Sequence, residues 1–147
     1  MTNTVHPIDI LLVEDDPGDE LMTREAFEDN QIGNTLHVAR DGQEALDFLF
    51  RQGDHTDAPR PDLVLLDLNL PKYSGRQILE RIRADRDLSD LPVVVLTTSS
   101  ARDDIMSSYR LHANAYVTKP VDLDQFNDAI KQIDDFFCHI VRLPQHR

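Results

Sequence analysis

Four short apolar runs punctuate the chain, and each ends abruptly in polar residues. Ile8-Asp9-Ile10-Leu11-Leu12-Val13 ends in Glu14-Asp15-Asp16, and Asp62-Leu63-Val64-Leu65-Leu66 ends in Asp67. Val93-Val94-Val95-Leu96 ends in Thr97-Thr98-Ser99-Ser100, and Ala115-Tyr116-Val117-Thr118 ends in Lys119-Pro120. Runs of this length are too short to span a membrane and match strands buried on both faces. Pro71, which cannot donate to a central ladder, stops the second run from continuing. Thr35-Leu36-His37-Val38-Ala39 adds a fifth strand.

Helical start signals lie between the strands. Asp16-Pro17 supplies a capping acceptor followed by proline at the first helical position. Asp41 with Glu44, Ser74 with Gln77, and Asp122 with Gln125 fit or approximate capping boxes. Apolar stripes follow at Met22, Ala26 and Phe27, at Ala45, Leu46, Leu49 and Phe50, at Ile78, Leu79 and Ile82, and at Ile105, Met106 and Tyr109. Strand–helix alternation repeated five times predicts an α/β fold: a doubly wound, five-stranded parallel sheet with helices on both faces. Ligands of such sheets bind beyond the carboxyl ends of the strands, and all four polar tips fall at that edge. Residues 52–61 read as a polar, solvated loop, with a lid or partner contact as the rival reading.

Composition narrows the function. The 147 residues suffice for one domain, and 40% hydrophobic with 29% charged residues describe a folded globule. Net charge is −12, with 15 Lys and Arg scattered among 27 acids, so no nucleic-acid binding is expected. Residues 1–7 have neither the basic start nor the apolar core of a signal peptide, and no membrane segment is visible. Cys138 is the sole cysteine, so no intrachain disulfide can form; a cytoplasmic location is expected. The six histidines show no paired metal-ligand spacing and read as surface or strand residues.

Glu14, Asp15 and Asp67 would crowd three carboxylates at one edge. Their repulsion calls for a cation, and all-oxygen ligands suit Mg²⁺ or Mn²⁺. A carboxylate beside such an ion can attack a phosphoryl group in line and form an aspartyl-phosphate. Lys119 would pair with one phosphoryl oxygen, and the Thr97 hydroxyl would donate to another. Helix capping is the competing reading for strand-end acids, and it serves Asp16 equally well. It does not serve Asp67, because Leu68-Asn69-Leu70-Pro71 intervenes and Ser74 starts the next helix.

Glu14-Asp15, Asp67 with Asn69-Leu70-Pro71 and Ser74-Gly75, Thr97, and Tyr116 with Lys119-Pro120 together resemble the receiver domain of two-component response regulators. The resemblance implies strand order 2-1-3-4-5 in a flavodoxin-like sheet. It implies Asp67 as phosphoacceptor, Asp15 as a direct metal ligand, Asn69 as a ligand through its backbone carbonyl, and Glu14 acting through water. Thr97 and Lys119 would contact the phosphoryl group, and Tyr116 would be the aromatic switch that turns inward when Thr97 closes on the phosphate. A cis Lys119-Pro120 bond is also implied. Two departures stand out. Thr98 replaces the usual alanine, which would narrow access for small phosphodonors, and Asn114 replaces a common glycine, a mild change because Asn tolerates positive φ.

The loop before Pro61, the Leu96-Thr97-Thr98-Ser99 tip and a tail ending in Leu143-Pro144 are similar to the stand-alone response regulators of bacterial phytochromes. That likeness implies a sensor histidine kinase, a bacterial phytochrome, as partner, with a phosphotransfer protein as a further one. The receiver resemblance itself covers residues 7–135, with 1–6 an N-terminal tail and 136–147 a helix extension and tail. No output module has room, so the expected protein is a phosphoacceptor switch with at most slow autodephosphorylation, not an enzyme. A haloacid-dehalogenase-type phosphohydrolase would need an aspartate where Asn69 stands and space for a cap domain. A scaffold signalling without phosphorylation would usually lack one of the acids, the Asp or the Lys.

Leu123, Phe126, Ile130, Ile133, Phe137 and Ile140 recur at spacings of three and four, and Ala129, Phe136 and Val141 widen the stripe. A helix over 122–140 would be about 28 Å long at ~1.5 Å per residue. A five-residue strand spans about 17 Å, so the helix should outreach the sheet and bury Phe136, Phe137 and Ile140 in a homodimer. A tail folded back on its own domain is the alternative.

Overall fold

Alternate residues of β1 (Asp9–Val13) serve two separate cores. Ile10 and Leu12 pack with Leu63, Leu65, Val94, Leu96, Ala26 and Phe27, whereas Leu11 and Val13 pack with Val64, Leu66, Val93 and the apolar residues of two further helices. From Ile10 to Val13 the strand is apolar without a break because both its faces are covered, which is why the sequence shows continuous runs rather than alternation. The structure is a computed structural model that describes residues 8–29, 35–67, 70, 74–97, 115–118, 128 and 131–132.

Around β1 the order is α1 (Pro17–Asp29), β2 (Thr35–Ala39), α2 (Gly42–Phe50), a 3-10 turn at Gly53–His55, β3 (Leu63–Leu66), α3 (Gly75–Ala84), β4 (Val93–Thr97) and β5 (Ala115–Thr118). All strand pairs are parallel, in the order β2-β1-β3-β4-β5. The expected doubly wound topology is therefore present. Helix α1 covers one face, and α2 with α3 covers the other. Among the described residues no helix is long and apolar enough to cross a membrane.

The caps follow the side chains the sequence offers. Ser74 Oγ accepts from Gln77 N–H at 3.3 Å while the Gln77 side chain accepts from Ser74 N–H at 2.9 Å, a complete reciprocal box on α3. On α2, Asp41 accepts from Glu44 N–H at 2.7 Å, but the Glu44 carboxylate reaches one residue further back, to Arg40 N–H at 2.9 Å. Its other oxygen lies 3.2 Å from His55 Nε2. Arg51 closes α2 in the left-handed region at φ 56°.

Residues 52–61 are largely exposed, as a solvated loop is, but they are also anchored to the domain. The Arg51 side chain donates to Ala58 O at 3.0 Å, Ala58 packs on the core, and Pro61 is buried. His55 and His37 flank the buried Phe48 ring at 5.5 and 5.2 Å between centroids, and His37 Nε2 lies 3.0 Å from Asp9 Oδ1. The segment is strapped against α2 and its C-terminal cap by single polar contacts, which hydrophobic periodicity does not register.

The connection from α3 to β4 hangs on Arg83. Its guanidinium Nη1 donates to Leu91 O at 2.6 Å and Ser89 O at 3.1 Å. Burial pulls the Arg83 pKa below the usual arginine value, and the nearby Asp90 opposes that shift.

Candidate functional site

The register fixes where each strand tip ends. Val13 pairs with Ala39 on one side and Leu66 on the other, so Arg40, Glu14 and Asp67 follow side by side at the carboxyl edge. Two backbone bonds extend the ladder past the strands: Glu14 N–H to Ala39 O at 3.0 Å and Asp67 N–H to Val13 O at 3.1 Å. Leu66 pairs with Val95, and Thr97 pairs with Thr118, so β4 and β5 reach beyond that row at the same edge.

Three acids meet there. Carboxylate oxygens of Glu14, Asp15 and Asp67 all lie within 4.8 Å of one another, the single such group of metal-ligating side chains found among the described residues. Glu14 is 2% exposed and Asp67 8%, whereas Asp15 faces solvent. Three like charges so close, two of them withdrawn from water, repel unless a cation or protons intervene. Carboxylate oxygens are hard ligands, and with one exposed acid the site stays open to water and to a second reactant. The residues therefore fit a hydrated Mg²⁺- or Mn²⁺-class ion.

The loop from β1 into α1 holds this arrangement. Asp16 Oδ1 accepts from Gly18 N–H at 2.8 Å and Asp16 O from Glu20 N–H at 2.9 Å, so Asp16 caps α1 as the Asp-Pro signal predicted. Asp16 N–H in turn donates to Glu14 Oε2 at 3.3 Å. The sequence gives no hint of Arg40 at this edge. Its guanidinium donates to Glu20 Oε2 at 3.0 Å, and Arg24 lies 3.6 Å from the same oxygen. Asp62, by contrast, belongs to the opposite end of β3, where its carboxylate accepts from Asp9 N–H at 2.9 Å.

Of the residues expected at the site, Glu14, Asp15 and Asp67 are brought together, and the Thr97 backbone lies at the same edge. Asn69, Lys119 and Pro120, the side chains of Thr97 and Tyr116, and the stripe of Phe126, Ile130, Ile133, Phe136, Phe137 and Ile140 lie outside what the structure describes.

A family model for the response regulator receiver domain matches residues 10–131. The chain is 44% identical over 135 residues to response regulator Rcp1 of Synechocystis sp., which covers 92% of each protein. Its fold superposes on the phosphorylated cyanobacterial phytochrome response regulator RcpA with a TM-score of 0.91 at 42% identity, over 95% of this chain and 99% of that one. The Mn²⁺-bound form of Rcp1 gives 0.90 at 44% identity, over 95% and 100%.

Proposed function

This chain belongs to the response regulator receiver family and is homologous to cyanobacterial phytochrome response regulators, and from that premise we propose that Asp67 accepts a phosphoryl group from a phytochrome-type sensor histidine kinase. The observation that carries the reading is the meeting of Glu14, Asp15 and Asp67 at the carboxyl edge. An Asp67 oxygen attacks the phosphorus of a phosphohistidine in line; the P–O bond forms as the P–N bond breaks, and the released imidazole takes up a proton. Mg²⁺, held by Asp15, Asp67 and the Asn69 carbonyl, with Glu14 reaching it through water, would neutralise charge on the phosphoryl oxygens. The Mn²⁺ found on Rcp1 supports an ion of this class.

Lys119 and Thr97 complete the phosphoryl contacts in this reading, and Tyr116 relays Thr97 closure to the face of β5. The output is then a protein contact made by the receiver, in the cytoplasm, with residues 7–135 forming the switch. The apolar stripe through Phe126, Ile133 and Phe137 makes a two-fold homodimer, which presents two receivers to a dimeric kinase. The chain is a phosphoacceptor rather than an enzyme, because neither Asn69 nor Ser99 offers a base to activate a hydrolytic water. The experiment is phosphotransfer from a phytochrome kinase with and without Mg²⁺. Label that reaches the wild type without a divalent ion, or that persists on Asp67→Asn, overturns the reading.

A further inference from the structure

Asp16 follows the two acids assigned to the metal but is not one of the carboxylates that converge on Asp67. It joins two structures instead. Its side-chain oxygen and its carbonyl start α1, through Gly18 N–H at 2.8 Å and Glu20 N–H at 2.9 Å. Its own N–H points the other way, to Glu14 Oε2 at 3.3 Å. That last bond is long for N–H to O, so a small rotation of the Asp16 backbone would lose it.

What prevents the rotation is the cap. Pro17 fixes its own φ near the helical value, and a β-carbon on Gly18 would stand 3.3 Å from Asp16 Oδ1, so glycine leaves the capping oxygen its room. On the other side, Glu14 N–H is held by Ala39 O at 3.0 Å. Asp15, exposed and without such anchors of its own in these bonds, is thus suspended between two fixed residues.

We propose that Asp16 is a positioning residue for the divalent ion: its cap on α1 fixes its backbone, which orients the Glu14 carboxylate and sets where Asp15 presents its oxygen. The inference rests on the metal-dependent phosphoacceptor reading, and it assigns Asp16 no ligand role. The capping oxygen, not the negative charge, is what matters. Asn and Ser retain an acceptor for the Gly18 N–H and lack the charge, whereas Ala has neither.

Binding of Mn²⁺ alone to the full chain, read by electron paramagnetic resonance with Mg²⁺ in competition, tests this. Asp16→Ala should bind about fivefold more weakly, the equivalent of a capping contribution of about 1 kcal/mol. Asp16→Asn and Asp16→Ser should stay within about twofold of wild type, since an exposed charge acts weakly across water. Asp16→Ala binding as wild type overturns the proposal, as does Asp16→Asn binding as weakly as Asp16→Ala. Should Asp16→Ala fail to fold, Asp16→Gly replaces it, because glycine caps at a cost of only a few tenths of a kcal/mol yet offers Gly18 no acceptor. Wild type that binds Mn²⁺ but takes no phosphoryl group overturns the functional reading and leaves this one standing; wild type that binds no Mn²⁺ overturns both.

Discussion

The backbone N–H of Asp67 donates to the carbonyl of Val13 at 3.1 Å, tying the tip of β3 to the tip of β1. This bond sets the distance between the buried carboxylate of one strand and the acid pair of the next. Sheet hydrogen bonding thus sets the spacing of the two strand tips, and the loop from β1 into α1 orients the acids they carry.

Asp67→Asn should accept no phosphoryl label from a histidine kinase, while Asp57→Asn, altered on an exposed loop residue, should label as wild type. Acid-labile label on each protein is the measurement. Equal labelling of the two variants would remove Asp67 from its role.

Metal and stability are linked through the three acids. Mg²⁺ at a hundredfold excess over its Kd should stabilise the wild type by about 2.7 kcal/mol, since it binds only the folded chain. Asp15→Ala should show no such rise and Glu14→Ala a smaller one. In EDTA, Asp67→Asn should melt at or above the wild-type temperature, because one of three mutually repelling charges is gone. Thermal unfolding by circular dichroism reads all of these.

Arg83→Ala should destabilise the fold by about 1–3 kcal/mol, because the carbonyls of Leu91 and Ser89 lose a charged donor in a half-buried place. Urea unfolding at neutral pH measures it. Phosphorylation of the folded fraction should be unchanged, as Arg83 lies in the last turn of α3, which leads to the start of β4 and not to its carboxyl end.

Phe48→Ala should cost about 3–5 kcal/mol, the range for deleting a buried aromatic ring. It also removes the surface that His37 and His55 share. Faster proteolysis at Gln52–Arg60 than in the wild type would report the loosened strap.

Sedimentation of the wild type at tens of micromolar should show a dimer, and Phe137→Glu/Ile140→Glu a monomer. A monomeric wild type, phosphorylated or not, would remove the dimer from the proposal.

The parallel sheet and the three acids were legible because both are written in short-range pattern, whereas the strand order 2-1-3-4-5 came with the receiver resemblance. An apolar run followed by a carboxylate can be located without knowing its neighbours, and parallel topology then carries the tips to one edge. The strap over residues 52–61 was not legible. It depends on His55 meeting Glu44 and Arg51 meeting Ala58, contacts between residues whose types are equally at home in solvent. The double role of Asp16 was half legible: the Asp-Pro pair announced a cap, but only the fold reveals that the same residue's N–H faces Glu14.

Because β1 sends even-numbered residues to α1 and odd-numbered ones to α2 and α3, its identity is a matter of parity. Deleting one residue within Asp9–Val13 would exchange the two sets of side chains between the faces. The same slip would draw Asp15 into the buried position of Glu14 and Asp16 into the place of Asp15. Such a frame error would damage interior and reaction centre together. In a saturation library β1 should therefore accept many same-length apolar replacements and no single-residue indels, whereas the exposed Asp54, Thr56 and Asp57 should accept them.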